Sequence, residues 1–309
     1  MPAPTKLSPR ITVGVASLCT EREIARCLRA LEGQSATGPM PDVEVVVAHN
    51  RPSEEIDRLR QMFPAVRFVA REGWSVPLQL MALAAEHARG EILMLTEDHC
   101  VPEPQWVARL DAALVAGRSA AGGPIDTWDG APPSVWAFYF LDFFRYTTPV
   151  AEGITPALSI CSVAYRRAHL EAIRDSWATG FHETEVHKRL RSHGPLWMEP
   201  KARVTTLRNV RFGGAMAECY GQGRLFASKR TELVSPARRL FYLALSPLLP
   251  PLLLFRRVQR GLSDREISRK FWPALPALIA MILAWSIGEA MGYLTKRPPN
   301  KLKLAPGAY

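Results

Sequence analysis

The chain has 309 residues, 48% of them hydrophobic, enough for one large domain with appendages or for two domains. Its formal net charge of +10 gathers around apolar blocks in the last quarter, which favours a membrane surface or a phosphorylated substrate over nucleic acid as the anionic partner. Five widely spaced cysteines (Cys19, Cys27, Cys100, Cys161, Cys219) without a CxxC pair argue against a disulfide framework or a structural zinc site and for a reducing compartment.

Residues 1–10 read as a polar, Pro-rich lead-in. They hold no apolar h-region, so no cleavable signal peptide is expected and the N-terminal part should stay in the cytoplasm. Ile11–Ser17 predicts a strand of small residues. A helix follows with Ile24, Leu28 and Leu31 at helical spacing, opened by a capping box of Thr20 and Glu23. Asp42–Ala48 predicts a second strand, HNRPSEEIDRLRQMF a loop and helix, Val66–Ala70 a third strand, and Pro77–Ala88 an Ala/Leu-rich helix. This alternation specifies a mostly parallel sheet with helices on both faces. The G-x-G-x-x-G fingerprint and the phosphate loop are both absent: Ser17-Leu18-Cys19-Thr20 follows the first strand, which sets aside an ordinary dinucleotide-binding domain.

The next strand, Ile92–Thr96, ends in Glu97, Asp98 and His99, and Pro102 and Pro104 prevent its continuation. Oxygen ligands and an imidazole at the carboxyl end of a buried strand sit where open α/β sheets bind ligands. A carboxylate with an imidazole suits Mn²⁺ or Mg²⁺, especially if substrate phosphates complete the shell; the plainer reading is a solvated strand exit. Beyond it, Ala120–Ile125 predicts a strand with a glycine pair for close backbone approach. Ser134–Thr148 is aromatic-dense, mainly a core signal, and Leu158–Ile173 predicts a strand and helix. In Gly180–Gly194, a loop into a helix, Glu183, His187 and Leu190 fall at i, i+4 and i+7, so Glu183 can face inward or simply cap the helix. Strands at Leu196–Glu199 and Ala202–Thr206 lead to Arg208–Arg230. The run AECYGQGR within it, aromatic, Gly-rich and basic, suits a pyrophosphate or a lipid head group.

Two apolar segments close the chain. Residues 240–255 are short, contain three prolines and lie between arginine pairs, whereas residues 271–294 are long enough to span a bilayer. If both crossed, the loop Arg256–Lys270 would be basic on the outer side, against the positive-inside tendency, so the first segment is expected to lie in-plane or re-entrant against anionic lipid.

Over roughly residues 10–230 the ordered set ITVGVAS, EVVVAHN, ARGEILMLTEDHCVPEPQW, AGGPI, SVAYRR and HETEVHKRL resembles a family 2 glycosyltransferase of the GT-A fold. By that resemblance Glu97, Asp98 and His99 stand in place of the family's Asp-x-Asp, with Glu97 and His99 as metal ligands and Glu97 and Asp98 beside the donor. Ala16, Ser17 and His49 would line the nucleotide, Arg224 would lie near its pyrophosphate or the membrane interface, and Glu183 would be the catalytic base. Three residues depart from the pattern. His49 replaces an Asp that reads the nucleotide base, Ser162 replaces an Asn, and His99 replaces the second metal Asp. The resemblance implies a catalytic domain over residues 1–235 and a membrane-associated region over 236–309. It implies metal-dependent, inverting transfer from a nucleotide-diphospho-sugar to a lipid or membrane-associated glycan at the cytoplasmic face of an inner or plasma membrane. Transfer to a polyprenyl phosphate, or nucleotide-sugar binding without turnover, are the alternatives.

Overall fold

The structure, a computed structural model, describes residues 9–34, 42–73, 75–115, 117–231, 234–262 and 264–299; most of the expected lead-in lies outside these. The elements run β1 (Ile11–Ser17), α1 (Glu21–Glu32), β2 (Val43–His49), α2 (Ser53–Met62), β3 (Arg67–Ala70), α3 (Pro77–Glu86), β4 (Ile92–Glu97), β5 (Cys100–Pro102) and α4 (Trp106–Ala113). There follow β6 (Ala120–Gly122), β7 (Ile125–Thr127), α5 (Pro133–Asp142), β8 (Gly153–Ile154), β9 (Val163–Arg166), α6 (Arg167–Glu171), α7 (Glu183–Leu190), β10 (Leu196–Met198) and β11 (Val204–Thr206). Four longer helices end the described chain: α8 (Phe212–Thr231), α9 (Pro236–Leu245), α10 (Leu249–Gly261) and α11 (Arg265–Thr295).

Two compact units result, one of Met1–Asp126 with Tyr146–Leu207, the other of Thr127–Arg145 with Arg208–Tyr309. The sequence places a boundary near residue 235, between an expected catalytic domain and an expected membrane-associated region. Packing divides the chain differently, grouping α5 and α8 with the C-terminal helices.

The first unit is a mixed α/β layer on an eight-stranded sheet of order β3-β2-β1-β4-β9-β6-β10-β8. Strands β3, β2, β1 and β4 are mutually parallel, and β9 runs antiparallel to both β4 and β6. A smaller sheet joins β5, β11 and β7. Every residue of β1 is buried, as expected of a parallel strand covered on both faces. Ile24, Leu28 and Leu31 of α1 are buried together, and Glu23 accepts from both the Thr20 N–H and the Thr20 hydroxyl at 2.9 Å, so the predicted cap forms. The strand expected over 120–125 is instead two, β6 and β7. At the break Gly123 lies so close to the next chain segment that a Cβ would sit 1.6 Å from the Ala202 carbonyl oxygen, which only glycine permits.

Glu44 on β2 tests the electrostatics of this unit. It accepts from Arg89 Nε and Nη2 at 2.8 and 2.6 Å, from the Arg89 N–H at 2.8 Å and from the Thr12 hydroxyl at 2.6 Å. Burial pushes its carboxyl up, but the bonds from Arg89 and Thr12 outweigh this and hold it below its ordinary value. A carboxyl lowered by folding stabilises above its unfolded pKa of about 4.3 and loses that contribution as pH falls through the lower folded value. With solvent screening, Glu44→Gln is expected to cost about 1 kcal/mol at pH 7 and nearly nothing at the acid end. Denaturation of both proteins across acid pH checks this; a cost independent of pH would refute it.

In the second unit the aromatic segment is core, as its density suggested. Val135, Ala137, Phe138, Tyr139, Phe140 and Leu141 are buried, with Phe140 and Phe144 at 5.6 and 5.8 Å from the ring of Phe271 in α11. The glycines of the AECYGQGR run have a packing role. They lie inside the continuous helix α8, where glycine allows two backbones to touch. A Cβ on Gly223 would sit 2.2 Å from the Trp285 carbonyl oxygen, and one on Gly288 would sit 2.0 Å from that of Tyr220. Such small-residue contact is how helices approach closely without a driving force from water. Glu289, expected to be costly in a bilayer, accepts from Trp285 Nε1 at 3.3 Å and the Tyr293 hydroxyl at 3.1 Å, each one turn away on its own helix.

Among the described residues two helical stretches are long and apolar enough to cross a membrane, Pro236–Gln259 and Arg265–Thr295. The first is almost wholly exposed and presents Leu240, Phe241, Leu248 and Phe255, each more than half accessible; the second is nearly half buried within the protein.

Candidate active site

The candidate site grows from the carboxyl ends of three adjacent parallel strands. The register places Ser17 at the end of β1 beside His49 at the end of β2, and Ala16 beside Glu97 at the end of β4. Because the chain leaves β1 for β2 on one side and reaches β4 on the other, a crevice opens at this switch in strand order, where open α/β sheets bind ligands.

Asp98 organises the crevice. Its side chain is 2% exposed, and its Oδ2 accepts from the Ser17 hydroxyl at 3.0 Å, the Leu18 N–H at 2.8 Å and the Cys19 N–H at 2.7 Å. Its own N–H donates to the Ala16 carbonyl at 3.1 Å, so the exits of β1 and β4 are tied in both directions. Burial alone would raise this carboxyl, but His99, Arg51 and Cys19 outweigh it and hold it below the usual range. Asp98 thus shapes the loop after β1, and only Oδ1 faces the ring of His99, at 3.8 Å.

Arg51 was not singled out by sequence. Its Nε donates to the Ser17 hydroxyl at 3.0 Å, Nη1 pairs with Glu55 at 2.8 Å, and Nη2 lies 3.6 Å from Asp98. An arginine two residues past a strand end, ahead of a helix-starting Pro-Ser, was the available signal. His49 is 3% exposed, and its Nδ1 accepts from the Arg51 N–H at 3.2 Å. That bond leaves the ring proton on Nε2, which is buried and has no hydrogen-bond partner. Burial first, then Arg51 and Arg60, push the ring down to about 4, so His49 is neutral at physiological pH and offers a donor.

Glu97 and His99 lie together. His99 Nδ1 is 3.4 Å from Glu97 Oε2, Glu97 is partly exposed, and the imidazole is 4% exposed with an unpartnered Nε2. Glu97 Oε2 and Asp98 Oδ1 both face the Nδ1 side of His99, and a carboxylate with an imidazole is a donor set of the kind a divalent cation takes when a phosphorylated substrate supplies its remaining ligands.

Glu183 is the first residue of α7, and its Oε2 accepts from the Ile160 N–H at 2.9 Å. The buried Cys161 thiol is pushed up by the Cys100 hydrogen bond and by burial, with smaller contributions from Glu97 and Glu183. The inward face predicted from the spacing holds for His187 and Leu190, which are buried, the His187 Nε2 lying 2.8 Å from the Tyr165 hydroxyl. Arg224 belongs to the second unit, where its Nε donates to the Arg297 carbonyl at 3.1 Å. Ser162, the first residue of SVAYRR, accepts from Trp106 Nε1 at 3.0 Å, a buried bond that joins the start of β9 to α4.

Comparison with known proteins places this geometry. The chain shares 14% identity with S. aureus TarS residues 1–349, solved with UDP-GlcNAc, at a TM-score of 0.51 over 93% of this chain and 90% of that one. It shares 15% with GalNAc-T7, solved with UDP, GalNAc and Mn²⁺, at a TM-score of 0.50 over 64% of this chain but only 43% of that one. A Pyrobaculum calidifontis mannosyltransferase, PcManGT, solved with GDP-Man and Mn²⁺, aligns at 17% identity and a TM-score of 0.46, covering 94% and 75% of the two chains. No curated protein sequence matches. Residues 12–174, just over half the chain and the stretch that carries β1, β2, β4 and the Glu97–His99 triplet, match Glycosyl transferase family 2, and the chain belongs to that family of glycosyltransferases.

Proposed function

We propose that this protein moves a sugar, with inversion, from a nucleotide-diphospho-sugar to a hydroxyl on a lipid or membrane-associated glycan. The observation that carries the reading is the convergence of Ser17, His49, Glu97, Asp98 and His99 at the carboxyl ends of β1, β2 and β4. Glu97 and His99 would hold Mn²⁺ or Mg²⁺, which when bound offsets the charge of the diphosphate leaving group. Asp98 keeps the Ser17–Cys19 backbone in place for the nucleotide. His49 reads the base as a donor through Nε2–H, where an aspartate at this position would accept, and this selects an acceptor atom on the base edge. Glu183, held through Oε2 by Ile160, takes the proton of the acceptor hydroxyl as it attacks the anomeric carbon. The apolar face of Pro236–Gln259 supports contact with the cytoplasmic leaflet, where a lipid-borne acceptor would be met.

Thermal shift of the detergent-purified protein with UDP-, GDP- and dTDP-sugars, each with Mn²⁺, Mg²⁺ or EDTA, tests the reading. One donor is expected to stabilise wild type only with metal, and not His99→Ala. No shift with any donor would overturn the donor-site assignment; a metal-dependent shift without transfer to any acceptor would favour a binding protein.

A further inference from the structure

Four of the five cysteines gather around a single imidazole. Cys19 Sγ lies 3.9 Å from His99 Nδ1. Cys100 directly follows His99 and, like Cys161, is fully enclosed, and Cys27 is buried with Cys100 and His99 as electrostatic neighbours. A ring nitrogen of His99, the Cys100 Sγ and the Cys161 Sγ all lie within 4.8 Å of one another. A second group, Cys19, Asp98 and His99, meets the same limit and shares the imidazole. Among the described residues the buried His99 Nε2 has no hydrogen-bond partner. No part of the transfer chemistry uses these thiols.

Two sulfurs and an imidazole form a soft donor set. Carboxylate, water and phosphate oxygens suit Mg²⁺ and Mn²⁺, whereas thiolates with imidazole select d¹⁰ ions in tetrahedral geometry. We propose that His99, Cys100 and Cys161 form a site for a thiophilic divalent cation, Zn²⁺ or Cd²⁺, distinct from the oxygen-rich site at Glu97, and that its occupation withdraws His99 from donor binding. On binding, His99, Cys100 and Cys161 give up to solvent whatever ligand protons they carry and bind through one neutral imidazole nitrogen and two thiolates, with no change of oxidation state. Cys19, partly exposed and within reach of the same imidazole, is the sulfur an entering ion meets first. The inhibitory consequence rests on the donor-site reading; the metal site does not.

The test is titration of the reduced, full-length protein in detergent with Cd²⁺, following the thiolate-to-cadmium charge-transfer absorbance and the metal retained after gel filtration. Wild type is expected to bind one equivalent. Cys161→Ser and Cys100→Ser should each weaken binding by about 10- to 100-fold or more. Cys219→Ser, in the other unit, should bind as wild type does. Thermal melting identifies any variant that fails to fold, and Cys161→Ser alone then carries the comparison. Absence of the band in wild type, a band indifferent to both Cys100→Ser and Cys161→Ser, or a band lost in Cys219→Ser overturns the site. A second arm measures the metal-dependent donor shift with and without one equivalent of Cd²⁺. Loss of that shift in wild type but not in Cys161→Ser supports the coupling to His99, and a shift untouched by bound Cd²⁺ refutes it. If the donor never binds even without Cd²⁺, the donor reading fails while the absorbance result still decides the site.

Discussion

Glu183→Gln is expected to lower sugar transfer by about 10²- to 10⁴-fold, the usual contribution of a positioned general base. Glutamine keeps an oxygen that can accept from the Ile160 N–H, so the start of α7 should hold and the melting temperature should change little. Donor binding, built on the ends of β1, β2 and β4, should also persist. The measurement is a single-turnover transfer rate beside a donor-binding curve. Loss of rate with unchanged donor binding assigns Glu183 to acceptor activation. Retention of most of the rate would instead favour an acceptor whose attacking oxygen is already ionised, such as a polyprenyl phosphate. Loss of donor binding along with rate would show that the carboxylate holds the donor.

Asp98→Ala should be the most damaging single change to the first unit. It removes the acceptor of three hydrogen bonds, from Ser17, Leu18 and Cys19, and leaves those donors buried near Arg51 and His99 without their counter-charge. Removing one partner from a buried charged network costs about 3–5 kcal/mol. Asp98→Asn keeps an acceptor but not the charge, and should fall between Ala and wild type. Chemical denaturation in detergent, without donor or metal, separates this structural role from any part in binding. A melting curve for Asp98→Ala like that of wild type would show that Asp98 does not hold the β1 exit.

The sequence was legible where chemistry is local. The apolar run Ile92–Thr96 closed by Glu97, Asp98 and His99 announced both a strand and the place where it ends, and the Thr20–Glu23 cap was written within four residues. It was illegible where partners are distant in the chain. Asp98 reads as one more acid in a triplet, yet its hydrogen bonds reach residues 79 to 81 positions earlier. The cysteines at 19, 27, 100 and 161 show no spacing motif because the strand order, not the chain, brings them together. The packing role of the AECYGQGR glycines is hidden for a related reason: the helix α11, distant in the chain, supplies the partner that they accommodate.

The make-up of the second unit from two separated stretches sets an order of events during synthesis. Residues 127–145 leave the ribosome long before α11, against whose Phe271 the rings of Phe140 and Phe144 pack. Until more than a hundred further residues have been made, strands β8 to β11 of the first unit among them, the nascent chain carries an unshielded aromatic helix. A chain cut near residue 235 to remove the apolar end would keep that helix uncovered for good, and would be expected to aggregate instead of becoming soluble. The C-terminal helices therefore act on the chain's own earlier segment as a late-arriving chaperone, apart from any contact they make with lipid.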